Sequence, residues 1–300
     1  MKKNIIITGC AGYLGQNLAI KLRPDFKLFQ FENNPKLKKK SYKIKEKIFN
    51  IKDLDSKFLQ KNQIKIIIHL GWKTKNFFSR NIHTKNFNLS KKIFKLAIQN
   101  KCDFIFSSTS AVYGDSFLKK PYLNQYSKKK LMFDNYLKSY FSLKHIRIYS
   151  LRLFNIYGKN EFIKKNKASS VFKFIQSLKK TGKIFLYKGF RRNNKYISPA
   201  REWLNIDDAC SIIKMICIKS LNSNIYDVSC KQKITFDKLA NTIINIHGSG
   251  KVVYKKVPQS KKKYYQRLNT STNRHIKNYL NYDFINIEKG IRQYFSEIAV

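Results

Sequence analysis

Acidic residues are scarce in this chain: 17 Asp and Glu stand against 62 Lys and Arg, a formal net charge of +45 over 300 residues. A charge of that size invites a nucleic-acid reading. The lysines, however, run through the whole sequence and form no single block or stripe. Gly (11), Pro (5) and Trp (2) are also few, while Ile, Asn, Lys, Tyr and Phe abound. An A+T-rich coding sequence produces that bias, so composition explains the charge more simply than a polyanion does. Nucleic acid is therefore not the expected partner, although the shortage of acids leaves a polyanion open. No stretch reaches the roughly 18 uncharged apolar residues of a membrane helix. The amino terminus carries two lysines and runs straight into a strand and a glycine turn, which makes a poor signal peptide. Cys10, Cys102, Cys210, Cys217 and Cys230 form no C-x-x-C pair and no metal spacing with the five histidines. Free thiols in a reducing cytoplasm are expected, with no metal.

Apolar content is not lacking. At 43% hydrophobic and 14% aromatic, the chain has the make-up of a packed globular protein. Its length allows one large or two modest domains. The informative stretch is the first sixteen residues, MKKNIIITGCAGYLGQ. Ile5, Ile6, Ile7 and Thr8 are β-branched and read as a short buried strand. Gly9, Gly12 and Gly15 follow at once and open an amphipathic helix. A strand that stops at a glycine turn and starts a helix is a phosphate cradle. The spacing is G-x-x-G-x-x-G, not the G-x-G-x-x-G of the dehydrogenase fingerprint. Residues 26–31 read as the second strand and end at Glu32, 17 residues beyond Gly15. An acid there accepts both ribose hydroxyls of an adenosine and repels a 2′-phosphate, which favours NAD over NADP. Lys36 nearby leaves some room for NADP.

Strands then alternate with helices. Candidate strands are 47–51, the Ile-rich 64–70, 103–106 and 146–154; helical spacing covers 86–97 and 126–140. This pattern predicts an α/β fold: a doubly wound parallel sheet of Rossmann type with a smaller C-terminal substrate-binding cap. The dinucleotide domain is expected over 1–158, with 203–229 returning to it, and the cap over most of 159–300. In the later part, helices are expected at 171–178, 204–218, 236–246 and from Ile287. Strands are expected at 183–187 and 225–228. A Lys-rich stretch, 251–263, includes Lys261–Lys263, most simply a solvated loop.

A tyrosine four residues before a lysine on a helix puts both side chains on one face. Lysine is so common here that the spacing alone means little. It occurs twice, as Tyr126/Lys130 and Tyr140/Lys144. Only Tyr126 opens a helix just after a Ser/Thr-rich strand end, with Thr109 17 residues before it.

TGCAGYLG, FENN, IIIHLGW, FNLSKK, FIFSSTSAVYGD, YSKKK, LRLFNIYG and REWLNIDDA occur in that order. The series resembles the extended short-chain dehydrogenase/reductases, and within them the NAD-dependent epimerase/dehydratase family acting on nucleotide sugars. It spans residues 1 to about 230 and continues more weakly to the end. The resemblance implies that Gly9, Gly12 and Gly15 take the pyrophosphate, with Tyr13 and Leu14 in the same turn. Glu32 and Asn33 would hold the adenosine ribose, Asn50 and Ile51 would sit at the adenine, and Leu70 and Gly71 would line the phosphates. Thr109 would bond the reacting sugar oxygen, Tyr126 would be the acid/base, and Lys130 would hold the nicotinamide ribose. Asn155 and Arg201 would meet the diphosphate and nucleotide of a nucleotide-diphosphate sugar. A nearby ammonium and an oxidised nicotinamide together would favour the Tyr126 phenolate and lower its pKa. A homodimer built on the helices from Ser90 and Tyr126 is also implied.

Thr109 is followed by Ser110 and Ala111, where the family's 4,6-dehydratases carry an acid pair, so dehydration is disfavoured. Epimerisation with bound NAD and reduction of a ketosugar nucleotide both remain. The alternative is a non-catalytic dinucleotide fold that binds RNA or senses redox state. The complete Thr109/Tyr126/Lys130 set speaks against it. Trp72, where the family has a small residue, would narrow the pocket or touch the sugar.

Overall fold

Short runs of Ile and Phe bounded by turns set the first half of the molecule. The computed structural model describes residues 2–33, 47–74, 76–115, 121–188, 190–192, 195–259, 266–272 and 274–298. In chain order its elements begin β1 (Asn4–Thr8), α1 (Tyr13–Leu22), β2 (Lys27–Glu32), β3 (Ile48–Asn50), α2 (Ser56–Lys61) and β4 (Ile64–His69). They continue with α3 (Arg80–Gln99), β5 (Asp103–Thr109), α4 (Gln125–Lys138), β6 (Ile148–Leu153), β7 (Asn155–Tyr157), α5 (Ser170–Thr181) and β8 (Lys183–Tyr187). Next come β9 (Phe190–Arg192), β10 (Lys195–Ile197), β11 (Ala200–Asn205), α6 (Ile206–Ile218), β12 (Asn224–Val228) and β13 (Lys233–Thr235). The last are α7 (Phe236–His247), β14 (Lys251–Lys255), β15 (Leu268–Asn269) and α8 (Ile287–Ile298). Lys36 and Lys261–Lys263 lie outside the described residues.

The chain forms two compact units. The first holds Met1–Thr109, Asn124–Arg152 and Ala209–Tyr226; the second holds Ser110–Leu123, Leu153–Asp208 and Asp227–Val300. Residues 110–123 and 153–158 thus fall in the second unit: β7 pairs with β11 there, and Asp115 pairs with Arg267.

The first unit is built on a seven-stranded sheet in the order β12-β6-β5-β4-β1-β2-β3. The pairs β1/β2, β1/β4, β2/β3 and β4/β5 are parallel. β1 and β4 are buried nearly throughout, each around three consecutive isoleucines, with Lys65 of β4 exposed. Phe29, Phe31, Phe94, Phe104, Phe106 and Phe133 dominate its core. The order reverses between β1 and β4, the switch point at which such sheets bind ligands beyond the strand carboxyl ends.

In the second unit β11 is central. It pairs antiparallel with β13 and parallel with β15 and β7. Leu204 and Asn205, expected to be helical, are strand residues, and the helix begins at Ile206. Residues 251–255 of the Lys-rich stretch form β14, paired in parallel with β8. It packs against α7, with Val252 on the second unit's core, which the charge pattern hid.

Candidate active site at the sheet switch point

The glycine turn is needed by its backbone. Gly9 has φ +72°, and a Cβ on it would lie 2.6 Å from the Gly71 Cα. A Cβ on Gly15 would meet the Cys10 Cα at 2.7 Å. β1 and β4 therefore leave the sheet in backbone contact. The Leu70 N–H donates to the Thr8 carbonyl at 3.1 Å, and the Gly71 N–H donates to Thr8 Oγ1 at 3.3 Å. Gly12 is the N-cap of α1, so no side chain caps the helix terminus. Tyr13 is buried at the start of α1, and Leu14 is half-buried beside it.

Glu32 ends β2 and reaches this turn: its carboxylate accepts the N–H of Asn33 at 2.9 Å and that of Ala11. Burial raises its pKa, while both backbone bonds and Lys73 oppose the rise. Asn50 accepts the Lys52 N–H at 3.0 Å and caps a short 3₁₀ turn; the Ile51 side chain is in the core. A cradle that a Cβ would fill, an uncapped helix terminus and a carboxylate at the second strand end fit a dinucleotide.

Thr109, Tyr126 and Lys130 come together in the first unit. Asn124 opens α4 with a capping box, its Oδ1 accepting the Ser127 N–H at 2.9 Å. Tyr126, Lys130 and Asp134 then share one face at spacings of four. Tyr126 hydrogen-bonds Thr109. Burial pushes its phenol up to about 12, opposed by the Thr109 bond and reinforced by Asp134. Lys130 is 2% exposed and donates to the Ser107 carbonyl at 2.5 Å. Burial pushes its ammonium down to about 7, and Asp134 opposes that. Asp134 is itself bound to Ser150 Oγ at 2.7 Å and to Arg152 Nε at 2.8 Å. The chain's own groups thus hold Tyr126 as a phenol.

The loop after β4 crosses this pair. The Phe77 carbonyl accepts the Tyr126 N–H at 3.0 Å, and the Phe77 ring stands edge-on to Tyr126 at 5.3 Å. Trp72 lies against Lys130 and Phe106. Three buried polar residues of α3, His83, Asn86 and Ser90, hold the loop and the β4 end. The sequence reading missed them. His83, Asn86 and Ser90 share a helical face with Ile93, Phe94 and Ala97, and that shared face was the available signal.

In the second unit Asn155 donates to the Glu202 carbonyl at 2.8 Å. Arg201 donates to the carbonyls of Ala200, at 2.7 Å, and Gln266, and lies over the Phe236 ring. Both brace backbone within that unit.

A sheet in this order with a glycine turn at its switch point defines a dinucleotide-binding α/β protein. A model of the NAD dependent epimerase/dehydratase family matches residues 5–229, and the chain belongs to that family. It is 26% identical to an ADP-L-glycero-D-manno-heptose-6-epimerase of Alkalilimnicola ehrlichii, over 98% of this chain and 97% of that protein. The fold is shared with the Helicobacter pylori ADP-L-glycero-D-manno-heptose-6-epimerase (TM-score 0.80, 21% identity, 99% and 96% of the two chains). It is also shared with a UDP-N-acetylglucosamine 4-epimerase of Methanobrevibacter ruminantium (TM-score 0.81, 19% identity, 100% and 99%).

Proposed function

We propose that this chain is an NAD-dependent nucleotide-sugar epimerase, and that an ADP-heptose inverted at C6 is the first substrate to try. The observation that carries the reading is the Thr109–Tyr126–Lys130 cluster, in the same unit as a glycine cradle that fits a dinucleotide. NAD, when bound, supplies a hydride acceptor and donor. The turn at Gly9, Gly12 and Gly15 would hold its pyrophosphate, and Glu32 its adenosine ribose. Tyr126 would give and take the proton of the reacting sugar oxygen, and Thr109 would orient that oxygen. Lys130 would place its positive charge beside them. The relatives named as epimerases favour inversion over simple ketosugar reduction.

Dehydration needs a positioned acid. The one acid between Thr109 and Tyr126 is Asp115, which is fully buried and paired with Arg267 at 3.0 Å. A redox-sensing role needs an accessible thiolate. Four of the five cysteines are buried, and burial pushes Cys102 up to about 11 and Cys217 up to about 12.

Mass spectrometry of the denatured purified protein tests the cofactor. Released NAD is the expected result, since an epimerase reuses one bound molecule. A protein that carries no NAD and binds NADPH instead would point to a reductase.

A further inference from the structure

We propose that Trp72 is a positioning residue for Lys130: its indole, fixed by His83, keeps the ammonium on a ring face and against the Ser107 carbonyl. The role in turnover rests on the reading of Lys130 given above; the placement does not.

The loop that carries Trp72 is clipped to α3 at two points. The Lys73 N–H donates to Asn86 Oδ1 at 3.2 Å, and Asn86 Nδ2 donates back to the Lys73 carbonyl at 2.9 Å. Trp72 Nε1 donates to His83 Nδ1 at 3.2 Å. That bond leaves Nε2 as the protonated nitrogen of His83, and it lies 2.8 Å from the Asn76 carbonyl as its donor. The indole N–H is thereby satisfied and the plane of the ring is fixed.

Lys130 Nζ lies 4.3 Å from the Trp72 ring centroid and 4.2 Å from that of Phe106; Tyr126 is further, at 6.0 Å. A buried ammonium has three N–H donors to satisfy. Among the described residues it has one hydrogen bond, to Ser107, and two close ring faces. A ring face attracts a desolvated cation, so Trp72 works against the burial that lowers Lys130. The other charged or titratable groups around it are Asp134 on α4, tied to Arg152 of β6, and His69 on β4, held between Thr8 and Ser90. His83 on α3 faces it through Trp72, and Tyr126 lies one turn back on α4.

The test uses the fluorescence of Trp72 against pH. The other tryptophan, Trp203, is removed as Trp203→Phe. Trp72 emission should titrate with a midpoint near 7, and Lys130→Met should abolish that titration. A titration that survives Lys130→Met, or none between about pH 5 and about pH 9, overturns the proposal. Should Trp203→Phe not fold, the difference between the native chain and Lys130→Met gives the same reading. In turnover, Trp72→Leu should move the limb lost with rising pH about one unit lower, and Trp72→Phe should restore most of the shift. An unmoved profile in Trp72→Leu overturns the role in turnover. Fluorescence needs no substrate, so an inactive protein with the Trp72 titration intact would sink the epimerase reading alone.

Discussion

Tyr126 and Tyr140 have the same spacing to a lysine, and their surroundings separate them. Tyr126 bonds Thr109 at the end of β5. Tyr140 lies past the end of α4, where its hydroxyl meets that of Tyr136 at 3.3 Å and its ring packs on Phe94 at 5.2 Å. Tyr126→Phe should cut turnover by about a thousandfold and leave NAD affinity nearly unchanged, checked by steady-state rates and a binding titration. Tyr140→Phe should stay near wild type in both. Turnover of Tyr126→Phe close to wild type would remove Tyr126 from its role. The acids also show what the bare count could not. Asp115, Asp134, Glu161, Glu202, Asp208 and Asp227, six of the 17, are each at most 4% exposed. Asp227, for example, accepts from Tyr113 at 2.6 Å and from Thr272 at 2.8 Å. These six acids thus lie where the fold surrounds them, not at the surface.

At the scale of elements, the first unit was legible because its signals are local. Apolar strand runs, glycines and the Tyr126 helix each declare themselves within a few residues. β13 and β15 were not legible because they are only three and two residues long, and β11 because Arg201 and Glu202 interrupt its apolar pattern and its end reads into the helix that follows. The hold on β4 was hidden for a similar reason. Thr8 Oγ1 meets His69 Nδ1 at 2.6 Å, and His69 Nε2 meets Ser90 Oγ at 2.8 Å. Ser90 donates on to the Asn86 carbonyl at 2.9 Å. Its oxygen therefore accepts from His69 Nε2–H, which leaves Nδ1 to accept from Thr8. Burial, with Lys130 adding to it, pushes His69 down to about 3 from 6.5. The unfolded chain takes a proton between those values and the folded chain does not. Stability is therefore full above pH 6.5 and lost as pH falls toward 3, by on the order of 4 kcal/mol. Asp208, raised to about 6 by burial, acts oppositely between 3.8 and 6. Urea unfolding across this range should show the loss, and His69→Gln should flatten it; an equal slope in the variant would refute the assignment.

For the whole molecule, +45 charges on one chain repel each other. Salt screens that repulsion. Raising NaCl from about 20 mM to about 500 mM should lift Tm by about 5 °C, as scanning calorimetry would show. A Tm that falls with salt would mean the surface charges are paired. Among the described residues no helix is long and apolar enough to cross a membrane. The proposed chemistry is hydride transfer at a nucleotide sugar, with Tyr126 moving the proton. The most direct measurement supplies ADP-L-glycero-D-manno-heptose deuterated at C6 and follows the product by mass spectrometry and NMR. The 6-epimer should appear with its deuterium retained, and not with Tyr126→Phe. An epimer that has lost the label to solvent, or equal conversion by the variant, would contradict it.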